Sequence, residues 1–438
     1  MIKNIILIVI DSLRFDHINN TKQKSILTPH LANLSKESLV FNNAISQGPT
    51  TRVSVSAFMS STYGLMYGGQ HKLSPERPVI QAHLKTHGFY TIGINANLYL
   101  SKKFGWNRGF DHYDDCNPGQ TYARSLRLRM LNQIMKRVGN PLVWPVTLPA
   151  ETLFERARCK INRSPKPFFC WIHLMDGHWP YHLQRFSWDK DWQTEQRKAN
   201  KLRSNVLDYP DAITDVEHKM ILSQYKNAVL YTDSCIGKFI EWLRVKGFLE
   251  STMIIITSDH GEEFLDHGEY YHHPKLFDEL IHVPLIIYLP EEVGFKPGIR
   301  IDHQVRLIDL VPTIYDIFGI PLPEQKIFGN SLINVTQQPI DDRIAISESP
   351  GGIVWSVRTI DRKFIYCKNE NQTQLYNLNI DPQEQVDISE KLLIEKKSFG
   401  EILSNHWRST NSIESLKASK EVVVDSDVED RLRDLGYL

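Results

Sequence analysis

The sequence predicts an α/β protein: a mostly parallel central sheet between helices, followed by a small C-terminal α+β subdomain. Three features predict it. Apolar runs of strand length alternate with longer helical patterns, as in a sheet covered on both faces. Several of those runs end abruptly in Asp or His, and strand ends are where α/β folds hold ligands. After about residue 340 the runs become short, which suits a hairpin or meander.

IILIVI (5–10) has the unbroken apolar pattern of a fully buried strand. TPHLANLSKES (28–38) reads as a helix, with Thr28 as N-cap and Pro29 at the first helical position. VFNNAIS (40–46) is strand-like. GPTTRVSVSAFMSS (48–61) opens with small residues and Pro49 and becomes an amphipathic helix, with Thr50 and Thr51 where an N-cap would lie. PVIQAHLKTHG (78–88) is a helix with a Gly stop, and FYTIGINA (89–96) a strand. FFCWIHLM (168–175) is another buried strand. From Glu217 to about Lys246, the residues Ile221, Tyr225, Ala228, Tyr231, Ile236, Phe239 and Leu243 recur at helical intervals, and Gly247 ends the pattern. MIIIT (253–257) and VPLIIYLP (283–290) are strands. RIAISES, GIVWSVRTI and KFIYCKN follow as short strands, and a last helix is predicted through the 380s to 405. The predicted division is 1–340 and 341–438, with the polar stretch 182–216, which carries Trp188 and Trp192, as a surface insertion or lid.

The 438 residues can form one large core plus a small accessory domain. Lys+Arg equals Asp+Glu at 51 each, so no global charge favours nucleic acid or a membrane surface. The cysteines, at 116, 159, 170, 235 and 367, are scattered and lack CxxC spacing, which argues against a disulfide framework and a zinc ribbon. At the start, the apolar run Ile5 to Ile10 ends in Asp11 with no small-residue cleavage site. It reads as a first strand rather than a signal peptide. No stretch reaches transmembrane length, so a cytoplasmic protein is the expectation.

The strand ends carry the chemistry. IVIDS ends in Asp11, WIHLMDGHWPY holds His173, Asp176 and His178, and TSDHGEEFLDHG holds Asp259 and His260. Carboxylate and imidazole together suit zinc, manganese or a similar ion. Thr51 lies at a helix start, where backbone N–H groups favour an anion. A hydroxyl there, facing metal-binding carboxylates, is a candidate nucleophile. Taken singly, each residue has a plainer role: Thr as N-cap, Asp as turn residue, His as packing. It is the convergence of separate strands on one sheet edge that argues for a site.

Taken in order, NIILIVIDSLRFDH, TPHLANLSKESLVFNNAIS, WIHLMDGHWPY, TSDHGEEFLDHG, LFDELIHVPLIIYLP, VRLIDLVPTIYDIFGI, LYNLNIDPQEQ and RLRDLGYL resemble the sulfatases, within the alkaline phosphatase superfamily. The resemblance covers nearly the whole chain. It implies a metal-dependent hydrolase or transferase of phosphate or sulfate esters, acting on a small-molecule or glycoconjugate substrate. It also implies one or two divalent ions (Zn, Mn, Mg or Ca). By position, Asp11, Asp259 and His260 match metal ligands, and Thr51 falls at the nucleophile, which also touches the metal. His178 matches a histidine that contacts the substrate anion or leaving group. His273 is preferred over His272 for a Lys or His that serves likewise, and Arg52, His272 and His173 are candidate substrate contacts.

The departures are specific. The family motif is roughly C/S-x-P-S-R, and here Thr51-Arg52-Val53-Ser54-Val55 aligns with it, without the Pro or the following Arg. Threonine cannot be oxidised to the formylglycine of the best-known sulfatases. Relatives with Thr here include phosphodiesterases, phosphonate hydrolases and phosphoethanolamine or phosphoglycerol transferases. Position 12 is Ser12 rather than a second acid, which makes the cage less anionic. Water can displace a phosphothreonine at phosphorus, whereas a sulfothreonine lacks the second hydroxyl by which formylglycine hydrate ejects sulfate. The chemistry therefore leans to a phosphorus ester. The alternatives are a sulfuric ester hydrolase without formylglycine and a sulfatase-fold binding protein that has lost turnover.

Overall fold

A computed structural model of the chain describes residues 2–18, 27–68, 72–116, 147–181, 198, 202, 205–206, 209, 212–333 and 343–414. Its main sheet has eight strands: β1 (Asn4–Ile10), β2 (Ser38–Ile45), β3 (Tyr90–Asn95), β4 (His112–Asp114), β5 (Phe168–Leu174), β6 (Thr252–Thr257), β9 (His282–Tyr288) and β10 (Arg300–Arg306). The spatial order is β10-β2-β9-β6-β1-β5-β3-β4. β1, β5 and β6 are buried along their whole length, the pattern expected when helices cover both faces.

All neighbours are parallel except that β9 runs antiparallel to both β2 and β6. No long crossover helix separates β6 from β9. Residues 258–281 carry only a two-stranded ribbon, β7 (Glu263–Phe264) with β8 (Tyr270–Tyr271), and one short helix. A connection that stays at one end of a sheet returns its strand antiparallel. The whole of 258–281 therefore lies at the sheet edge where β1, β5 and β6 end.

Helices α1 (Pro29–Ser35), α2 (Thr51–Phe58), α3 (Ile80–Thr86) and α5 (Asp215–Val245) lie where the sequence predicts helices, and α4 (Ala150–Ile161) is an additional one. Its buried residues Ala150, Leu153, Phe154, Ala157 and Ile161 do have helical spacing. α5 begins at Asp215 rather than Glu217, because Thr214 and Glu217 form a capping box. Thr28 makes no side-chain cap on α1. The cap comes from α5, where the Asp233 carboxylate accepts from the N–H groups of His30 at 2.9 Å and Leu31 at 2.8 Å. Two further helices of the main part are α6 (Asp278–Ile281) and α7 (Leu310–Phe318).

A separate antiparallel sheet, in the order β11 (Ala345–Glu348), β12 (Val354–Arg358), β13 (Arg362–Cys367) and β14 (Gln372–Asn377), is followed by α8 (Leu393–Glu414). Phe399 and Leu403 of α8 pack with Trp355, Val357, Phe364 and Leu375 of this sheet, and with Ala57, Tyr63 and Ile308 of the main part. The last helix starts later than expected. Pro382 interrupts the 380s, and Asp381 and Asp387 spend their carboxylates on backbone N–H groups of Gln385 and Leu375. The expected boundary at 340 and the closing RLRDLGYL lie outside the described residues. So do Trp188 and Trp192, although Leu202 and Val206 of the same stretch are buried in the main core. Among the described residues, no helix is long and apolar enough to cross a membrane.

Candidate active site

The register of the parallel strands brings their ends level. Val9 of β1 pairs with His173 of β5 and with Thr257 of β6, and His173 pairs with Asn95 of β3. Asp11 therefore leaves β1 beside the residues that leave β5 and β6. The loop after β5 presses against it, and a Cβ on Gly177 would stand 2.5 Å from the Asp11 carbonyl oxygen. Only glycine permits that approach. Ser258 ties the other side, donating to the Ile10 carbonyl at 2.6 Å and accepting from the Leu13 N–H at 2.9 Å.

α2 is fastened to the same edge. Ser54 and Ser46 each place their Oγ 2.6 Å from the Asp259 carbonyl oxygen. This sets Thr51, the first residue of α2, over the strand ends. Thr51 Oγ1 lies 3.2 Å from Asp11 Oδ2 and 3.3 Å from His260 Nε2. One ligand atom from each of Asp11, Asp259 and His260 lies within 4.8 Å of the others, and all three residues are buried. His173, also buried, has Nε2 3.5 Å from Asp259 Oδ2 and 3.9 Å from Asp11 Oδ2. Ser12, which stands in place of a second acid, donates to Asp11 Oδ1 at 3.1 Å.

The inner wall is lined by imidazoles. The ring of His272 lies 4.5 Å from that of His260 and 5.0 Å from that of His178. His272 Nδ1 lies 2.8 Å from Glu262 Oε1, whose other oxygen accepts from the Tyr181 hydroxyl at 3.2 Å. His273, the expected member of the pair, instead faces outward, 44% exposed and 3.9 Å from Glu269. Adjacent residues leaving a strand point to opposite sides, and β8 ends at Tyr271. Arg52 stacks its guanidinium over the Tyr99 ring at 4.2 Å. Asn97 and Glu262 were not among the expected site residues. The clue for Glu262 was its place in TSDHGEEF, and for Asn97 its place just past the end of FYTIGINA.

The electrostatics suit a cation. Burial pushes the Asp259 carboxyl up, but His260 and His173 outweigh it and hold it below the usual range. Burial pushes His260 down, and Asp259 and Asp11 outweigh that in turn, so its pKa is raised. Asp259 Oδ2 is buried and accepts no hydrogen bond from the described residues. His260 Nδ1 lies 2.8 Å from the Gly261 carbonyl oxygen. A proton held there leaves the Nε2 lone pair facing the carboxylates. An orphaned carboxylate oxygen, a second carboxylate and an oriented imidazole fit a divalent cation, and Asp11, Asp259 and His260 are the residues that would hold it. On the inner wall, burial pushes His272 down to about 3, with His260 adding to the effect. Burial also lowers His178 and raises Glu262 to about 8.

The family model described as Sulfatase matches residues 3–320. Arylsulfatase K of Bos taurus is 30% identical over 232 residues, which is 48% of this chain and 42% of that protein. The chain thus spans less than half the length of that relative. Among solved structures, BT4656 in complex with its substrate D-glucosamine-2-N,6-O-disulfate has a TM-score of 0.74 at 17% identity, covering 97% of this chain and 100% of that one. Phosphonate monoester hydrolase of Agrobacterium radiobacter has a TM-score of 0.72 at 16% identity, covering 92% and 95%. At such identities the likeness to both structures is one of fold.

Proposed function

The chain belongs to the sulfatase family, within the alkaline phosphatase-like superfamily, and from that premise we propose that it hydrolyses or transfers a phosphate or sulfate ester of a saccharide or glycoconjugate, through Thr51. One observation carries the reading: the Thr51 hydroxyl sits 3.2 Å from Asp11 and 3.3 Å from His260, two of the three residues of the cation site. Sulfatases of this family bind a divalent metal ion, and zinc, manganese, magnesium and calcium are the candidates here. When bound, the ion supplies a Lewis acid that makes the threonine hydroxyl more acidic and offsets charge on the ester oxygens.

The protein's own groups do the rest. Thr51 Oγ1 bonds to phosphorus or sulfur, and the bond to the substrate alcohol breaks. The alcohol leaves with that electron pair and takes up the proton that Thr51 gives up. His178 and His272 flank the site. Burial disfavours their charged forms, so each serves as a neutral hydrogen-bonding group to the ester rather than as a fixed positive charge. Arg52, held on Tyr99, stands one residue from the nucleophile. Water or an acceptor alcohol then releases the group from Thr51.

A phosphorus ester is the preferred substrate, because water can release phosphate from threonine directly. The likeness in fold to phosphonate monoester hydrolase is compatible with this. The second reading is a sulfate ester, favoured by the resemblance to arylsulfatase K. A panel of aryl phosphomonoester, phosphodiester, phosphonate and sulfate, each with Zn, Mn, Mg and Ca, tests the proposal. Turnover of a phosphorus ester supports the first reading and turnover of the sulfate alone supports the second. No turnover of any leaves a binding protein.

A further inference from the structure

Thr51 Oγ1 has another polar neighbour, Asn97, which is fully buried. Its side-chain oxygen accepts from the Tyr99 N–H at 2.9 Å. That bond fixes which way the amide faces. The amide nitrogen therefore points into the site, donating to Asp11 Oδ2 at 3.0 Å and to Thr51 Oγ1 at 3.3 Å. The turn beneath is equally determined. The Asn97 N–H donates to Asn95 Oδ1 at 2.6 Å, and Asn95 Nδ2 donates to the Leu100 carbonyl at 3.0 Å. Asn95 closes β3 level with His173 of β5, and the Arg52 guanidinium covers Tyr99 from outside.

We propose that Asn97 is a catalytic hydrogen-bond donor to Thr51 Oγ1, acting chiefly when the transferred group is released. The inference rests on Thr51 being the nucleophile. In the release step the water oxygen bonds to phosphorus and the P–Oγ1 bond breaks. The electron pair stays on Oγ1, which takes up the proton the water loses. Negative charge grows on Oγ1 in this step, whereas it declines there during attack. A donor fixed on Oγ1 therefore stabilises the transition state of release more than that of attack. The need is particular to threonine, whose alkoxide is a poor leaving group with no second hydroxyl to help it depart. The Asn97 amide oxygen faces the Tyr99 N–H and the amide nitrogen faces the site, so the residue acts on Oγ1 and Asp11 as a donor.

The test is rapid-quench kinetics with intact-protein mass spectrometry, using bis(para-nitrophenyl) phosphate and the full chain loaded with the ion that supports turnover. Asn97→Ala should release nitrophenol in a burst equal to the protein present, then slow on the order of 10²-fold or more. It should accumulate a para-nitrophenyl phosphate adduct on Thr51. Asn97→Asp, which keeps the acceptor for Tyr99 and loses the donor, should do the same. Loss of rate without burst or adduct in both variants overturns the proposal, as does unchanged turnover. Metal content is measured alongside, and a fall in bound metal that accounts for the whole loss also overturns it. Thr51→Ala separates the two levels. Turnover surviving there removes the nucleophile itself, whereas an inert Thr51→Ala beside burst-free Asn97 variants removes only the role of Asn97.

Discussion

The Thr51 hydroxyl donates to Asp11 across 3.2 Å, joining the first turn of α2 to the end of β1 in a fully buried site. Thr50, not Thr51, occupies the N-cap position, and its side chain makes no capping bond. The Thr51 hydroxyl is spent not on a cap but on Asp11, His260 and Asn97. We expect Thr51→Ala to lower kcat on the order of 10³-fold or more, because the attacking oxygen has no substitute. Thr51→Ser should retain part of the activity. Near-wild-type kcat in the folded alanine variant would end the mechanism.

No aldehyde should form in this chain. Threonine cannot supply one, and the nearby Ser54 has its Oγ 2.6 Å from the Asp259 carbonyl and 2.7 Å from Ser46 Oγ. Intact mass after co-expression with a formylglycine-generating enzyme should equal the unmodified mass. An aldehyde mapped to Ser54 contradicts the alignment of Thr51 with the nucleophile.

Gly177→Ala should damage the cation site from below. The new methyl would lie 2.5 Å from the Asp11 carbonyl, which is backbone and cannot swing aside. Overpacking of this kind costs about 1–3 kcal/mol, and Asp11 must move with it. A lower melting temperature together with weaker metal binding is expected, read by thermal unfolding and metal titration. Unchanged metal affinity would show that the loop does not hold Asp11 in place.

Arg52→Ala distinguishes a stacked arginine from an anion clamp. The guanidinium lies 4.2 Å from the Tyr99 ring centre, a contact worth about 0.5–1 kcal/mol where exposed. We expect a slightly lower melting temperature and a fall in kcat/KM of less than about 10-fold, since a charged hydrogen bond to the substrate is worth ~1.5–3 kcal/mol. A larger fall, concentrated in KM, would assign the clamp to Arg52.

Asp278 joins the small sheet to the main part. It accepts from Arg358 at 2.8 Å and from buried Lys363 at 2.9 Å. Removing one partner of such a buried network costs about 3–5 kcal/mol, so Asp278→Asn should be strongly destabilised at neutral pH in denaturant titrations. Burial pushes the Asp278 carboxyl up, but Arg358 and Lys363 outweigh it and hold it well below its ordinary value. A depressed carboxyl contributes fully above the unfolded value of ~3.9, and its contribution is lost as pH falls through the folded value. On the acid side, the Asp278 contribution to the gap between wild type and variant should therefore fall away below about pH 4. A gap that closes near neutrality would contradict the pairing. Glu384 is pushed up to about 7 by burial and by the Asp278 charge despite Lys363, and the asparagine variant lacks the part of that rise due to Asp278.

The sequence by itself determined the strand framework and pointed to the three residues of the candidate cation site. IILIVI, FFCWIHL and MIIIT are apolar enough to be buried on both faces, and each runs into Asp or His at or just beyond its end. Burial and the interruption of burial are local properties, so Asp11, Asp259 and His260 could be read together, with Thr51 at a helix start. Tertiary structure decided what depends on direction and distance. Inward-facing His272 and outward-facing His273 differ by one residue at the end of β8, and only the path of the ribbon chooses between them. Asn97 is an ordinary polar residue in a turn until Tyr99 fixes its amide and β3 delivers it to Thr51. The cap on α1 comes not from the adjacent Thr28 but from Asp233, 203 residues from His30. Local pattern specifies which residues must be buried, whereas the partner of a polar group is set by whichever donor or acceptor the packed chain brings within hydrogen-bond reach.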